Sequence, residues 1–329
     1  MLASRKSLRV GALAAFVVAQ AFAAAGTAQA TTASVQVAKG MLIVQAAKGQ
    51  VNKVSISHVG DLLVITDAAP MEPGAGCKGM KPTEVVCPVK EIASLWISLA
   101  DLDDSFTYVG ALRATVGGGT GNDTVTGGWA GDTIEGGDGN DMLNGEAGDD
   151  TLIGGEGNDL IQAGSDNDAL YGDFTYSVST CGTLTYRCND TLYGGGGNDR
   201  LYGGYAGDKS YGGYGDDVIH DPTGGGLFNG GPGDDDLSGG SPAMRDTVDY
   251  SERTSGVTVI LGHVDAQTGS LVPGKGGQPG ESDLLVNVQN IAGGSGDDIL
   301  CGNDSDNLIS GNGGIDQIDG YGTAPFCIA

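Results

Sequence analysis

An aspartate recurs every nine residues through much of this chain, and that spacing is the feature best placed to do chemistry. From residue 118 the units read GGTGNDTVT, GGWAGDTIE, GGDGNDMLN, GEAGDDTLI, GGEGNDLIQ and AGSDNDALY, ending at Tyr171. TYRCNDTLY, GGGGNDRLY, GGYAGDKSY and GGYGDDVIH run from Thr185 to His220, followed by a degenerate DPTGGGLFN and by GGPGDDDLS up to Ser238. A second block, GGSGDDILC, GNDSDNLIS and GNGGIDQID, begins at Gly293. Position six of nearly every unit offers a carboxylate, beside glycines that leave backbone carbonyls open. Stacked carboxylates without lysines between them repel, and a divalent cation resolves that repulsion. Calcium accepts many carboxylate and carbonyl oxygens in irregular geometry, whereas magnesium demands a stricter octahedron and keeps its waters. Zinc or copper would call for His or Cys, and neither recurs in the repeat.

Other chemistry is thinly represented. The chain has three histidines, His58, His220 and His263, and neither H-E-x-x-H nor G-x-S-x-G occurs. Acidic pairs are plentiful but nearly all fall in repeat turns, so metal ligation and turn charge outweigh a glycosidase dyad. No catalysis is expected. The competing expectation is an extracellular, polysaccharide-acting enzyme that uses the outer face of the repeats. Tyr171, Tyr193, Tyr202 and Tyr211 all occupy position nine. Such a row suits a glycan or a surface protein as partner, and equally suits cross-strand pairing within a sheet.

The elements that must carry these residues follow from the same period. Position eight is apolar in nearly every copy (Val125, Ile134, Leu143, Leu152, Ile161, Leu170, Leu192, Leu201, Ile219, Leu237, Leu300), with Ser210 as the break. Its neighbours are mostly polar, which predicts a short strand with one inward side chain. Glycines at positions one, two and four permit the tight turns between strands. Two units then make a coil of eighteen residues, and coils stack at the ~4.8 Å spacing of paired strands. The predicted fold is all-β, a parallel β-roll or β-solenoid. Glycine accounts for 61 of 329 residues and the net charge is −26, a balance that argues against nucleic acid or an anionic membrane as partner.

Residues 1–30 read as a cleavable signal peptide: Arg5, Lys6 and Arg9, an apolar run from Val10 to Ala25, then Ala28-Gln-Ala30. Cleavage there takes the net charge from −26 to −29 and implies a secreted, extracellular protein. No later segment is long and apolar enough to cross a membrane, so no membrane insertion is expected. Residues 31–117 alternate as β-strands and fit either a small sheet or the first coils of the solenoid. Residues 118–238 form the first repeat block, interrupted near 172–184, and 239–292 a degenerate coil with an enlarged loop at Pro273 to Gly280. Residues 293–329 form the second block and a C-terminal cap. Six cysteines in an exported chain read as disulfides, and sequence proximity pairs Cys77 with Cys87, Cys181 with Cys188 and Cys301 with Cys327.

The repeats resemble the haemolysin-type calcium-binding (RTX) family, whose signature is GGxGxDxUx; the match is fullest over Asp141 to Asp159 and Asp190 to Asp208. Leu99 to Phe106 looks like a decayed copy, with Ala100 and Leu102 where glycines belong. The resemblance implies a parallel β-roll with calcium between turns. Carried over by position, the ligands are Asp123, Asp132, Asp141, Asp150, Asp159, Asp168, Asp190, Asp199, Asp208, Asp217, Asp235, Asp298 and Asp316. Asn307 and Gly226 replace the aspartate in two units, and Ala130 and Ala206 displace the second turn glycine in two more. The expected function is a secreted protein that binds several Ca2+ ions, couples them to folding and plays a structural or adhesive role.

Overall fold

In the computed structural model the described residues are 32–173, 189–240, 245–264, 271–321 and 327. The predicted signal peptide and the pair Cys181 and Cys188 lie outside them. Strands dominate. The only described helix is a single 3-10 turn at Val89–Glu91, and no described helix is long and apolar enough to cross a membrane.

The chain divides into two compact units, Met1–Gly164 with Asp173–Thr180, and Ser165–Gly172 with Cys181–Ala329. In the first, consecutive repeats alternate between two sheets. Ser94–Asp101, Arg113–Thr120, Thr133–Asp138 and Thr151–Glu156 pair in parallel in one, placing Val116 beside Ile134 and Ile134 beside Leu152. Ser105–Val109, Thr124–Thr126 and Met142–Ala147 run parallel in the other, placing Val125 beside Leu143. The eighteen-residue coil is therefore two nonapeptides, one per sheet. Ala100 and Leu102 take φ of 92° and 76°, the left-handed backbone their glycine counterparts adopt, and Ala100 pairs with Gly119.

Residues 33–117 extend the same ladders and then close them. Met41–Gln45 and Lys53–Val59 lie parallel to Ser94–Asp101 and Ser105–Val109. Beyond them the pairing turns antiparallel: Ala33–Ala38 on Met41–Gln45, Leu62–Thr66 on Lys53–Val59, then Glu84–Pro88 and Lys78–Lys81. The edge strand of the Lys53–Val59 sheet, KGMK, is exposed along its length, and lysines on an edge discourage pairing with another chain. Cys77 and Cys87 are bonded across this hairpin.

The second unit repeats the arrangement. Ala169–Tyr171, Arg200–Tyr202, Val218–Asp221, Asp236–Gly239 and Asp283–Val286 form one parallel ladder; Thr191–Gly196, Lys209–Tyr214, Leu227–Asn229, Thr247–Asp249 and Asn290–Ala292 belong to the other sheet. Leu170 pairs with Leu201, a step of 31 residues that spans the interruption. Pro273 to Gly280, expected as a loop, contains a strand. Gly274–Gly276 inserts antiparallel between Asp283–Val286 and Thr258–Ile260, so the sheet changes direction locally. Glycines at both ends of that strand concealed it in the sequence pattern. Cys301 and Cys327 are bonded at the end of the chain.

In the repeats the core is built from the position-eight side chains. Every position-eight side chain named above is at most 1% exposed. Ser210 is also fully buried, between Leu192 and Phe228, and its hydroxyl meets no partner. An unpartnered buried hydroxyl is destabilising, so Ser210→Ala is expected to raise stability by about 1 kcal/mol. Urea melts of the two proteins decide this; a loss of stability would mean the hydroxyl has a role that its surroundings do not reveal.

Candidate metal centre

Positions six and eight of a unit have the same parity, so a strand that turns its apolar residue inward turns its aspartate inward too. Among the thirteen predicted aspartates, Asp123, Asp132, Asp141, Asp150, Asp159, Asp168, Asp190, Asp199, Asp208, Asp217, Asp235 and Asp298 are at most 2% exposed. Asp316, in the last coil, is half-buried. These are not solvated edge charges.

They form continuous rows. The N–H of Asp104 donates to Asp123 Oδ1 (2.8 Å), that of Asp123 to Asp141 (2.7 Å) and that of Asp141 to Asp159 (2.8 Å). The other edge joins Ala114 to Asp132 and Asp132 to Asp150. In the second unit the row runs Asp168, Asp199, Asp217, Asp235 and Asp283, with Asp190 to Asp208 and Asp298 to Asp316 as further steps. Stacked carboxylates are thus separated by backbone N–H groups, and one oxygen of each is satisfied without a cation. The sequence reading missed Asp104, Asp246 and Asp283 as members. Asp104 falls within the decayed copy, while Asp246 and Asp283 lie seven rather than five residues after a leading Gly-Gly pair, Gly239-Gly240 and Gly276-Gly277. A second ladder at position five was also missed: Asn140 donates to Asn122, Asn158 to Asn140 and Asn198 to Asn167 along the exposed edge.

The second carboxylate oxygen divides the turns into two kinds. Oδ2 of Asp123, Asp141, Asp199, Asp217 and Asp235 is buried and has no hydrogen-bond partner. Each points at the leading glycine of its own turn, where a Cβ on Gly118, Gly136, Gly194, Gly212 or Gly230 would collide with it. In these turns positions two and four have positive φ, as at Gly137 (119°) and Gly139 (146°). A side chain at Gly137 or Gly139 would strike the carbonyl of Gly119 or Gly121 in the neighbouring coil. Carbonyls therefore crowd the same turns as the unpartnered carboxylate oxygens. Asp132 and Asp298 differ: Oδ2 accepts the N–H of Gly128 (2.7 Å) or Gly294 (2.8 Å), and no residue at positions two to four is left-handed. Asn307 closes its turn likewise, through Asn303. Ala206 keeps the open form with φ of 75°, so the two Ala-Gly turns part company.

Among the described residues no three His, Cys, Asp or Glu side chains converge into a metal-holding group. A cation at an open turn would need backbone carbonyls as well as carboxylates. That donor set suits a hard ion with flexible coordination, and calcium fits it. The tyrosines make two stacked pairs on different sheets, Tyr171 with Tyr202 (5.1 Å) and Tyr193 with Tyr211 (4.8 Å), rather than one stripe. His58 hydrogen-bonds Tyr108 at 3.1 Å, and His220 lies edge-on to Tyr202.

Burial raises the carboxyls of these rows: Asp141 to about 6, Asp123 and Asp217 to about 7, and Asp235 to about 8. Desolvation is the main cause, the donated N–H opposes it, and neighbouring carboxylates add to it. A folded-state value above the unfolded one means that the native chain binds more protons between roughly pH 4 and 8, so metal-free stability falls as pH rises. In EDTA the β signal in circular dichroism is expected to be stronger at pH 5 than at pH 8. A flat or reversed profile would contradict the inward placement of these carboxylates.

The chain matches the family described as RTX calcium-binding nonapeptide repeat (4 copies) over residues 115–143, 144–174, 189–205 and 289–322. No curated protein gave a match. The chain carries RTX calcium-binding nonapeptide repeats, folded as the parallel coils of a β-roll.

Proposed function

We propose that this is a secreted repeat protein in which Ca2+ bound between stacked turns is coupled to folding, and that its role is structural or adhesive rather than catalytic. The observation that carries the reading is the buried, unpartnered Oδ2 of Asp123, Asp141, Asp199, Asp217 and Asp235, set among turn carbonyls. The proposed ligands are the thirteen position-six aspartates, with the open turns as the tighter sites. Asp132 and Asp298 rank lowest, because a backbone N–H already occupies the oxygen a cation would use. Bound calcium would supply the counter-charge that the buried rows lack. The residues' part is to fix the free oxygen: Oδ1 accepts the N–H of the aspartate one coil earlier, which leaves Oδ2 aimed into the turn. Because only the stacked state offers such a site, binding stabilises that state by mass action.

Circular dichroism with and without EDTA tests the coupling. Removal of calcium is expected to abolish most β signal in the repeats, and an unchanged spectrum after complete removal would sink the proposal. Asp141→Asn keeps the Oδ1 acceptor but removes the charge. It is expected to weaken calcium binding by about tenfold, ~1.4 kcal/mol. Asp132→Asn is expected to change calorimetric titrations far less. Equal effects of the two substitutions would erase the distinction between open and closed turns.

A further inference from the structure

One junction in the second unit is filled by the protein's own side chains. The turn Gly230 to Asp235 stacks against the turn ending at Asp283, since Asp235 N–H donates to Asp283 Oδ1 (3.1 Å) and Ser282 N–H to Asp234 Oδ1 (2.7 Å). In the same row Asp199, Asp217 and Asp235 each leave Oδ2 without a partner, but Asp283 Oδ2 accepts the hydroxyl of Tyr250 at 2.6 Å. Tyr250 follows the strand Thr247–Asp249, at the position where most units begin with glycine, and is 2% exposed. Its hydroxyl takes the space that a Cβ on Gly276 would need.

Three residues on, Arg253 is nearly buried, at 9% exposed. It is held there by a turn in which its N–H donates to the Tyr250 carbonyl (2.9 Å). Its guanidinium donates to the carbonyl of Gly231 and pairs with both carboxylate oxygens of Glu281, each at 3.2 Å. Gly231 is position two of its turn. In the coils before it, the Gly195 carbonyl abuts Gly213 and the Gly213 carbonyl abuts Gly231. The row of position-two carbonyls thus ends on a positive charge, and the row of unpartnered carboxylate oxygens ends on a hydroxyl donor.

We infer that Arg253 and Tyr250 stand in for a cation between the turn Gly230 to Asp235 and the turn ending at Asp283, so that this junction closes without calcium while the junctions between the turns ending at Asp199, Asp217 and Asp235 do not. A guanidinium suits the task because it is permanently charged and weakly hydrated, and its planar donors reach a carbonyl and a carboxylate at once. The junction is then a calcium-independent anchor on which the preceding coils can stack once calcium arrives.

The inference rests on the calcium reading proposed above, and hydrogen exchange of the full chain separates the two. In EDTA, peptides covering Asp236–Gly239 and Asp283–Val286 are expected to stay protected while those covering Thr191–Gly196 and Lys209–Tyr214 exchange. Uniform loss of protection would overturn the inference. Arg253→Met opens the carbonyl row, and the variant in calcium is expected to bind one more ion per chain than the wild type by elemental analysis. An unchanged count would overturn the inference as well. A wild-type chain that binds no calcium defeats the calcium reading itself, whereas a calcium-loaded wild type with neither expected result defeats this inference alone.

Discussion

Everything in the stack depends on the bond between the N–H of one aspartate and the Oδ1 of the aspartate a coil away. Backbone hydrogen bonds join coils along the flat faces and through the glycine turns, as from the Gly121 N–H to the Asp138 carbonyl, but at position six the carboxylate takes the carbonyl's place. The aspartate side chain carries the pairing around that corner at 2.6–3.1 Å. It does so at an electrostatic cost. A charge-assisted hydrogen bond is worth about 1.5–3 kcal/mol, whereas withdrawing a carboxylate from water costs several kcal/mol unless it is paired. One bond per carboxylate does not close that gap. The turn is built with an electrostatic deficit, and the raised proton affinity of Asp123, Asp217 and Asp235 expresses it.

The chain meets this deficit in three ways. In the turns of Asp132 and Asp298 the backbone folds back and donates a second N–H. At Asp283 a tyrosine hydroxyl reaches in, with an arginine nearby. In the open turns of Asp123, Asp141, Asp199, Asp217 and Asp235, the glycines hold carbonyls and a bare carboxylate oxygen together. These solutions differ in what they demand of the surroundings. The first requires only a local change of backbone, the second requires side chains delivered from a neighbouring coil, and the third draws on solution.

Much of this was legible in the sequence. The nine-residue period identified the inward residues, the alternation between sheets and the aspartate rows, and the positive φ of Ala100 and Leu102 shows that the decayed copy keeps its backbone. The inward direction of the aspartates follows from parity with position eight. Features set by tertiary neighbours were not legible. Ala130 and Ala206 occupy the same position in near-identical units, yet only Ala206 is left-handed. Trp129, beside Ala130, donates its N–H to the Gly110 carbonyl across the stack, a contact that no local pattern encodes. Gly274–Gly276 reads as a loop because nothing in Gly-Lys-Gly reports the two strands it joins.

The 31-residue step from Asp168 to Asp199 keeps the same 2.8 Å bond as its eighteen-residue neighbours. The stack therefore counts aspartates rather than residues. Extra sequence at such a step leaves the coil geometry on either side intact, whereas a single added nonapeptide would send every later unit to the opposite sheet. This gives the fold a grammar for growth: whole coils can be duplicated, foreign segments can be grafted at a turn, and half-coils exchange the two faces.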